Sequence, residues 1–169
     1  MLFRSGVRIE HGNSSLWLCG VDDLTEGAPD LRAALQGRRP GETTVLLSHH
    51  PDFFFEAAAA DVDLTLSGHT HGGQIRVGGR APIHHSRFGY EQGWFQEGNC
   101  RLYVGRGIGV TVLPIRIDAP PEIPMVQFAR ARNVHPQATE PACSAAQSHG
   151  AEPELVRSGS GACVGADVD

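Results

Sequence analysis

Four of the nine histidines stand in two short segments between residues 46 and 77. His49 and His50 follow the run TTVLLS, and His69 and His71 follow the run VDLTLSG. If both runs are buried strands of an α/β sheet, the histidines lie at their carboxyl ends, where such sheets bind ligands. Neutral imidazole suits Zn, Fe and Mn better than Mg or Ca. The spacing alone leaves two interpretations open: a metal site, or separate hydrogen-bonded loop histidines.

The elements that would position these loops alternate between strand and helix. The segment VRIEHGNSSLWLCG is typical of a hairpin, and GAPDLRAALQG has Pro29 near its start and Gly37 at its end, as a short helix would. TTVLLS resembles a strand buried on both faces, and VDLTLSG is predicted to be another strand that ends at Gly68. PDFFFEAAAA between them favours helix. This order predicts an α/β core. Later strands are predicted at QIRV, RLYVG, PIRI and IPMVQF.

Composition limits the function classes. A chain of 169 residues with a net charge of −5 and a pI near 6.0 is not expected to hold nucleic acid by general electrostatics. The four cysteines form no CxxC pair, which argues against a zinc knuckle or a thioredoxin-like motif. No apolar run is long enough to cross a bilayer, and Met1–Ser5 does not resemble a signal peptide. The sequence leaves the compartment unknown, either cytoplasmic or membrane-associated.

Composition changes near residue 130, where an Ala/Ser/Gly/Pro-rich stretch begins that contains no aromatic residue. Such a segment buries too little apolar surface to offset the entropy of ordering it. We therefore predict a disordered tail over residues 130–169.

The motifs GHTHGGQ and LLSHHPD, each after an apolar strand, resemble those of the calcineurin-like metallophosphoesterases. The resemblance runs from about Val7 to Phe128 and is strongest to a branch acting on phospholipid-like or nucleotide-sugar-linked phosphodiesters. It implies two divalent metal ions (Mn, Fe, Zn or similar). It also implies that His49 and His69 bind the second ion and His71 the first. His50 lies one step beyond the matching position, which makes it a substrate-facing or solvent residue rather than a ligand.

The family's other metal motifs do not occur in this chain: Asp-x-His, Gly-Asp and Gly-Asn-His are all absent. Asp22 and Asp23 are interpreted as turn or capping residues. The resemblance therefore implies that residues 1–129 are the carboxyl-terminal part of a four-layer α/β/β/α sandwich whose amino-terminal half is missing. We expect an incomplete, inactive fragment without catalytic residues of its own and with uncovered apolar surface.

Several polar residues near the motifs are open to two interpretations. Gln74 follows the second histidine loop, where its amide could bind substrate or the backbone. Arg87 could bind a phosphate or remain in solvent, and His84 and His85 could support the site or be exposed loop residues. The implied substrate is a small-molecule or lipid-linked phosphoester, and membrane association would come through the missing amino-terminal region. The alternative function is a non-catalytic binding or scaffold module with a degenerate metal site.

Overall fold

The computed structural model of the chain describes residues 4–130 and 162–165. The chain falls into two compact units, residues 1–125 and 126–169. The first unit contains a six-stranded mixed sheet, which confirms the predicted α/β class. Its strands are β1 (Ser5–His11), β2 (Ser14–Gly20), β3 (Thr44–Leu47), β4 (Leu64–Ser67), β5 (Gly93–Glu97) and β6 (Cys100–Val104). The four-layer arrangement stays a prediction.

The strand order is β1-β2-β3-β4-β6-β5, with four parallel strands in the middle and an antiparallel strand at each edge. The register aligns the carboxyl ends of the parallel strands: Gly20 pairs with Leu47, Leu47 with Leu66, and Ser67 with Val104. The segments that follow β2, β3, β4 and β6 therefore emerge along one edge of the sheet, as open parallel sheets require of a ligand site.

The helices are short. Helix α1 (Leu31–Ala34) begins after Asp30, whose side chain accepts a hydrogen bond from the Ala33 amide at 2.9 Å. The predicted helix in this stretch is thus confirmed, with Pro29 next to its aspartate cap, but it spans only about one turn. PDFFFEAAAA forms a 3-10 turn (Pro51–Phe53) that continues into helix α2 (Phe54–Ala59), as predicted.

The core lies between the helices and one face of the sheet. It contains Phe53 and Phe54 from the helical segment, Leu46 from β3 and Leu102 from β6, all at most 2% exposed. Burying an apolar side chain of this size is worth about 1.5–3 kcal/mol. The core thereby fixes the strands whose ends carry the histidines.

The other face of the sheet is also apolar but incompletely covered. Register pairs Val7 with Leu18 and Leu18 with Val45, so these side chains share this face. Val45 is buried, whereas Val7, Ile9 and Leu47 are 40–46% exposed. These exposures agree with the sequence-based expectation of uncovered apolar surface.

Two of the later strand predictions are wrong. QIRV and PIRI form no strand and meet in a single bridge between Ile75 and Ile117. Gln74 has a φ of 50°, and a tight turn closes between Val77 and Arg80, so the first segment cannot extend. RLYVG is confirmed as β6, whereas the edge strand β5 was not predicted.

The second unit contains β7 (Gln127–Arg130) paired antiparallel with β8 (Ala162–Gly165). The predicted strand IPMVQF therefore begins four residues later than expected and ends at Arg130. β8 is a strand where the sequence predicted no regular structure. The rest of the predicted tail, residues 131–161 and 166–169, lies outside the described residues.

A partly buried ion pair ties the edge strand β1 to the segment just before β3. The Glu42 carboxylate is 4% exposed and accepts from Arg8 Nε at 2.6 Å and from Arg8 Nη2 at 3.0 Å. Ser15 Oγ and the Arg39 amide donate to the same carboxylate. The hydrogen bond from Arg8 is the main cause that lowers the pKa of Glu42 from 4.5 to about 2.

This ion pair makes stability dependent on pH. Because the folded pKa of Glu42 is lowered, its contribution is present above about pH 4.5 and is lost as the pH falls toward about 2. We expect the free energy of unfolding, measured by urea titration, to fall across this window. Glu42→Gln should flatten the slope, leaving the part that comes from Asp23, whose pKa is also lowered to about 2, and from Glu122, whose pKa is lowered as well. An unchanged slope in Glu42→Gln would contradict the assignment.

Candidate metal centre

The two histidine loops leave adjacent parallel strands and are tied to each other by their backbones. The Ser48 amide donates to the Leu66 carbonyl at 3.1 Å, and the Gly68 amide donates to the His49 carbonyl at 3.1 Å. Strand pairing thus continues for one step beyond β3 and β4. This extension brings His49 and His69 side by side, as their positions at two strand ends predicted.

The His49 and His69 rings meet through their nitrogens. His49 Nε2 lies 3.3 Å from His69 Nδ1, with ring centroids 5.1 Å apart and planes at 86°. Two nitrogens that bind one tetrahedral ion at about 2.0–2.1 Å are themselves about 3.3–3.4 Å apart. The spacing and the neutral imidazole donors therefore fit a pair of ligands on one divalent ion such as zinc.

Two more imidazoles surround His69. The ring centroid of His50 lies 4.2 Å from that of His69, and the His85 centroid lies 6.4 Å away. These four residues, His49, His50, His69 and His85, are called the imidazole cluster below. Burial, followed by the positive charges its neighbours would carry, lowers the pKa of His69. The lowered pKa favours the neutral ring, which has a lone pair for a metal.

The loop after β4 is held in an uncommon backbone conformation. His69 has a φ of 70° and His71 a φ of 53°, in the left-handed region that non-glycine residues rarely adopt. Gly73 is required here, because a Cβ at this position would lie 2.4 Å from the Ala81 side chain. Thr70 Oγ1 fixes the loop by donating to the Glu91 carbonyl at 2.6 Å. Backbone strain of this kind collects at functional sites.

His71 contacts a different part of the chain. Its Nδ1 lies 3.2 Å from the Gly109 carbonyl oxygen, and its Nε2 lies 3.0 Å from Thr111 Oγ1. Arg116 Nη2 is 3.3 Å from the same Nδ1. Within residues 4–130 and 162–165, no group of three or more His, Cys, Asp or Glu side chains could hold a metal ion. The role of His71 as a ligand stays a prediction.

The three residues predicted to bind substrate are placed as follows. His50 is buried and caps the 3-10 turn, with Nδ1 accepting from the Asp52 amide at 3.2 Å, which leaves the proton on Nε2. The Gln74 amide is fully engaged by the backbone of Thr111 and Leu113. Arg87 has an exposed side chain on the loop beside the cluster. Their contacts with substrate stay predictions.

The interpretation of Asp22 and Asp23 as turn residues is confirmed. Asp23 Oδ1 accepts from the amide and hydroxyl of Thr25 and from the Glu26 amide at 2.7–2.9 Å, and Asp22 Oδ2 accepts from the Ala28 amide. The Thr25 hydrogen bond is the main cause that lowers the pKa of Asp23 to about 2, and the charge of His49 adds to the effect. Asp23 therefore supplies a negative charge near the imidazole cluster.

Sequence reasoning missed Asp52, which attaches the loop that carries His85. This buried carboxylate accepts from Ser86 Oγ at 2.5 Å and from the Arg87 amide at 3.0 Å. Asp52 is the last residue of LLSHHPD, so its place in that motif was the available signal. The contact explains how His85 reaches a ring on a different loop.

A cavity of about 540 Å³ is lined in part by Glu91, whose carbonyl accepts from Thr70 in the second histidine loop. Arg76 and Arg80 are its cationic residues, Glu91 is its carboxylate, and His84 at its wall adjoins His85 of the imidazole cluster. Its volume falls in the range of small-molecule sites, about 300–1,000 Å³. The full lining is Arg76, Gly79, Arg80, Ala81, His84, Gly89, Glu91, Gln92 and Phe95.

The sequence of this chain is similar to those of several curated proteins. The chain is 40% identical over 112 residues to the uncharacterized metallophosphoesterase YkuE of Bacillus subtilis, an alignment covering 65% of this chain and 39% of the relative. It is 32% identical over 132 residues to the phosphodiesterase YaeI of Escherichia coli, covering 76% and 47%. It is 33% identical over 141 residues to a bovine transmembrane protein with a metallophosphoesterase domain, covering 72% and 31%.

The chain therefore belongs to the calcineurin-like metallophosphoesterase family, as its motifs predicted. It spans less than half the length of these curated relatives. No protein-family model and no solved structure matches the chain. Among the described residues, none of the helices has the length and hydropathy to cross a membrane.

Proposed function

We propose that this chain contributes the histidine loops of a metal-dependent phosphoesterase. The observation that carries the proposal is the 3.3 Å separation of His49 Nε2 and His69 Nδ1, because it matches two ligands of one ion. The names of the curated relatives, metallophosphoesterase and phosphodiesterase, support the same reaction class.

In the proposed enzyme, the histidine loops of this chain would position ring nitrogens with free lone pairs as metal ligands. His49 would offer Nε2 and His69 would offer Nδ1, which requires the other nitrogen of each ring to carry the proton. Burial lowers the pKa of His69 and so favours its neutral form, and Asp23 adds one negative charge nearby. When bound, a divalent ion supplies Lewis-acid chemistry at a phosphoryl oxygen.

We further propose that the chain is an incomplete and inactive part of such an enzyme. Three histidines without a bridging carboxylate provide neither the negative charge nor the number of ligands that two close divalent cations need. The chain spans less than half the length of its relatives, and its sequence lacks the family's aspartate-containing motifs. A dinuclear centre would therefore need ligands from outside this chain.

The cavity beside the imidazole cluster is the proposed site for the rest of the substrate. The side chain of Arg80 is exposed and pairs with no described residue, so it is available to an anionic group. Phe95 and Ala81 add apolar surface to the same cavity. A phosphoester with an anionic or amphipathic leaving portion fits this lining.

The activity is tested by comparing this chain with the longest product of the same reading frame. We expect the longer product to hydrolyse bis(p-nitrophenyl) phosphate with added Mn, and the 169-residue chain to show no turnover. His69→Ala and His71→Ala should abolish the activity of the longer product. Unchanged turnover in both variants would overturn the assignment, and Mn-dependent turnover by the short chain would overturn its inactivity.

One observation favours the second candidate, a non-catalytic binding or scaffold module. Within the described part of the chain, no three potential ligands group around one point. A module of this kind would bind at most one ion and would remain inactive in every longer product. The same hydrolysis assay therefore separates the two candidates.

A further inference from the structure

The segment between β6 and β7 has almost no regular secondary structure, yet three of its residues contact the ring of His71. Residues 105–126 form no helix or strand and make one isolated bridge, at Ile117. Backbone groups without strand or helix partners need other hydrogen bonds. Two side chains, Gln74 and Arg116, supply many of them.

The Arg116 side chain forms its hydrogen bonds with backbone carbonyl oxygens rather than with a carboxylate. Its guanidinium donates to five backbone carbonyls, with distances of 2.5–3.3 Å. These carbonyls belong to His71, Arg106, Gly107, Gly109 and Ala119. The planar fork of arginine is suited to such a role, whereas lysine presents a single compact charge. Arg116 therefore fixes the path of this segment around His71.

The Arg116 contacts also decide which nitrogen of His71 carries the proton. The Gly109 oxygen can only accept, so its 3.2 Å contact with Nδ1 is a hydrogen bond only if Nδ1 is protonated. Arg116 Nη2 lies 3.3 Å from the same nitrogen, but the carbonyl oxygens of Arg106, Gly107 and Gly109 are closer to Nη2, at 2.5–3.1 Å, and accept its two hydrogens, while Nε also donates to Gly109. The Nδ1–H form satisfies all these groups.

In the Nδ1–H form, Nε2 of His71 is unprotonated and acts as an acceptor. Thr111 Oγ1 lies 3.0 Å from Nε2 and donates to it. Gln74 holds Thr111 at this position, because its Oε1 accepts from the Thr111 amide at 2.6 Å and its Nε2 donates to the Thr111 carbonyl at 2.8 Å. Metal-binding histidines usually donate their other N–H to a carbonyl or carboxylate in this way.

We propose that Arg116 is a positioning residue for His71. It holds the Gly109 carbonyl that accepts from Nδ1–H, and it thereby presents Nε2 as the ligand atom. The assignment of Nε2 to a metal rests on the proposed function, whereas the choice of tautomer does not.

The test reads the tautomer directly in the metal-free chain. Long-range 1H–15N correlation spectra of the ¹⁵N-labelled protein, in EDTA at about pH 8, distinguish protonated from unprotonated ring nitrogens. The His71 signals are assigned as those missing from His71→Gln. We expect Nδ1–H in the wild type, and a change toward Nε2–H in Arg116→Met and Arg116→Lys. Wild-type His71 in the Nε2–H form would overturn the proposal without any variant.

Arg76→Met is the matched control. Arg76 also donates to the histidine loop, through the Gly72 carbonyl at 3.1 Å, but it has no contact with the His71 ring. We expect this variant to keep the wild-type tautomer even if its melting temperature falls. If Arg116→Met and Arg116→Lys also fold and keep the Nδ1–H form, Arg116 is merely structural and the proposal fails.

Zinc titration separates this inference from the proposed function. If wild-type chain binds zinc through His71, Arg116→Met should bind about 10–100-fold more weakly, the usual effect of losing an outer-shell partner. If no variant binds zinc but the tautomer changes as expected, the positioning role stands and the metal assignment of His71 fails. If zinc affinity depends on His71 but the tautomer is the same with and without Arg116, the metal assignment of His71 stands and the positioning role of Arg116 fails.

Discussion

His69→Ala is expected to weaken divalent metal binding by this chain by more than about a hundredfold. The reason is that His69 supplies one of the two nitrogens that lie 3.3 Å apart, whereas loss of an outer-shell partner alone costs about 10–100-fold. His49→Ala should have a similar effect. Isothermal titration with zinc, at a pH where the histidines are neutral, measures the change.

His11→Ala provides the control for this measurement. His11 is exposed at the end of β1, in the hairpin at the opposite edge of the sheet from the strand ends that carry the cluster. Its replacement removes one imidazole and should leave the zinc affinity unchanged. Equal losses in His11→Ala and His69→Ala would indicate non-specific binding to histidines, and the metal site would have to be abandoned.

The second large effect is expected in the core. Phe54 is 1% exposed and packs edge-to-face against Tyr90 with ring centroids 5.8 Å apart. Phe54→Ala should reduce the free energy of unfolding by about 3–5 kcal/mol, because it removes buried surface and leaves a cavity. Urea denaturation followed by circular dichroism measures this change. A loss of this size is a large part of a typical total of about 5–15 kcal/mol.

The next residue along the chain is a matched control. Phe55 is 58% exposed and stacks on Phe88, which is itself exposed. Phe55→Ala removes the same side chain from the surface and should change the free energy of unfolding by only about 0.5 kcal/mol. Comparable losses in the two variants would show that the helix does not pack on the sheet through Phe54.

The sequence predicted the central part of the fold well because buried parallel strands leave continuous apolar runs. β3, β4 and β6 were all anticipated in this way, and so was the helical segment between the first two. QIRV was misassigned because an apolar pattern carries no information about the left-handed conformation of Gln74, which depends on contacts with residues nearly forty positions away. β5 was missed because it is an edge strand with no buried residue, so its sequence contains no continuous apolar run.

The same distinction applies to the site. His49 and His69 could be placed together because both follow strands that pair in register. The direction of the His71 ring could not be predicted from the sequence. The ring is oriented by Gly109, Thr111 and Arg116, which follow His71 by 38 to 45 positions. Local patterns position a backbone, whereas ring orientation comes from tertiary hydrogen bonds.

X-ray absorption of the zinc-loaded chain tests most directly whether the His49 and His69 rings share one cation. We expect a nitrogen shell at about 2.0–2.1 Å with the outer-shell scattering typical of imidazole. That scattering should disappear when both histidines are replaced by alanine. An identical spectrum from the double variant would show that zinc binds elsewhere and that these two rings are not its ligands.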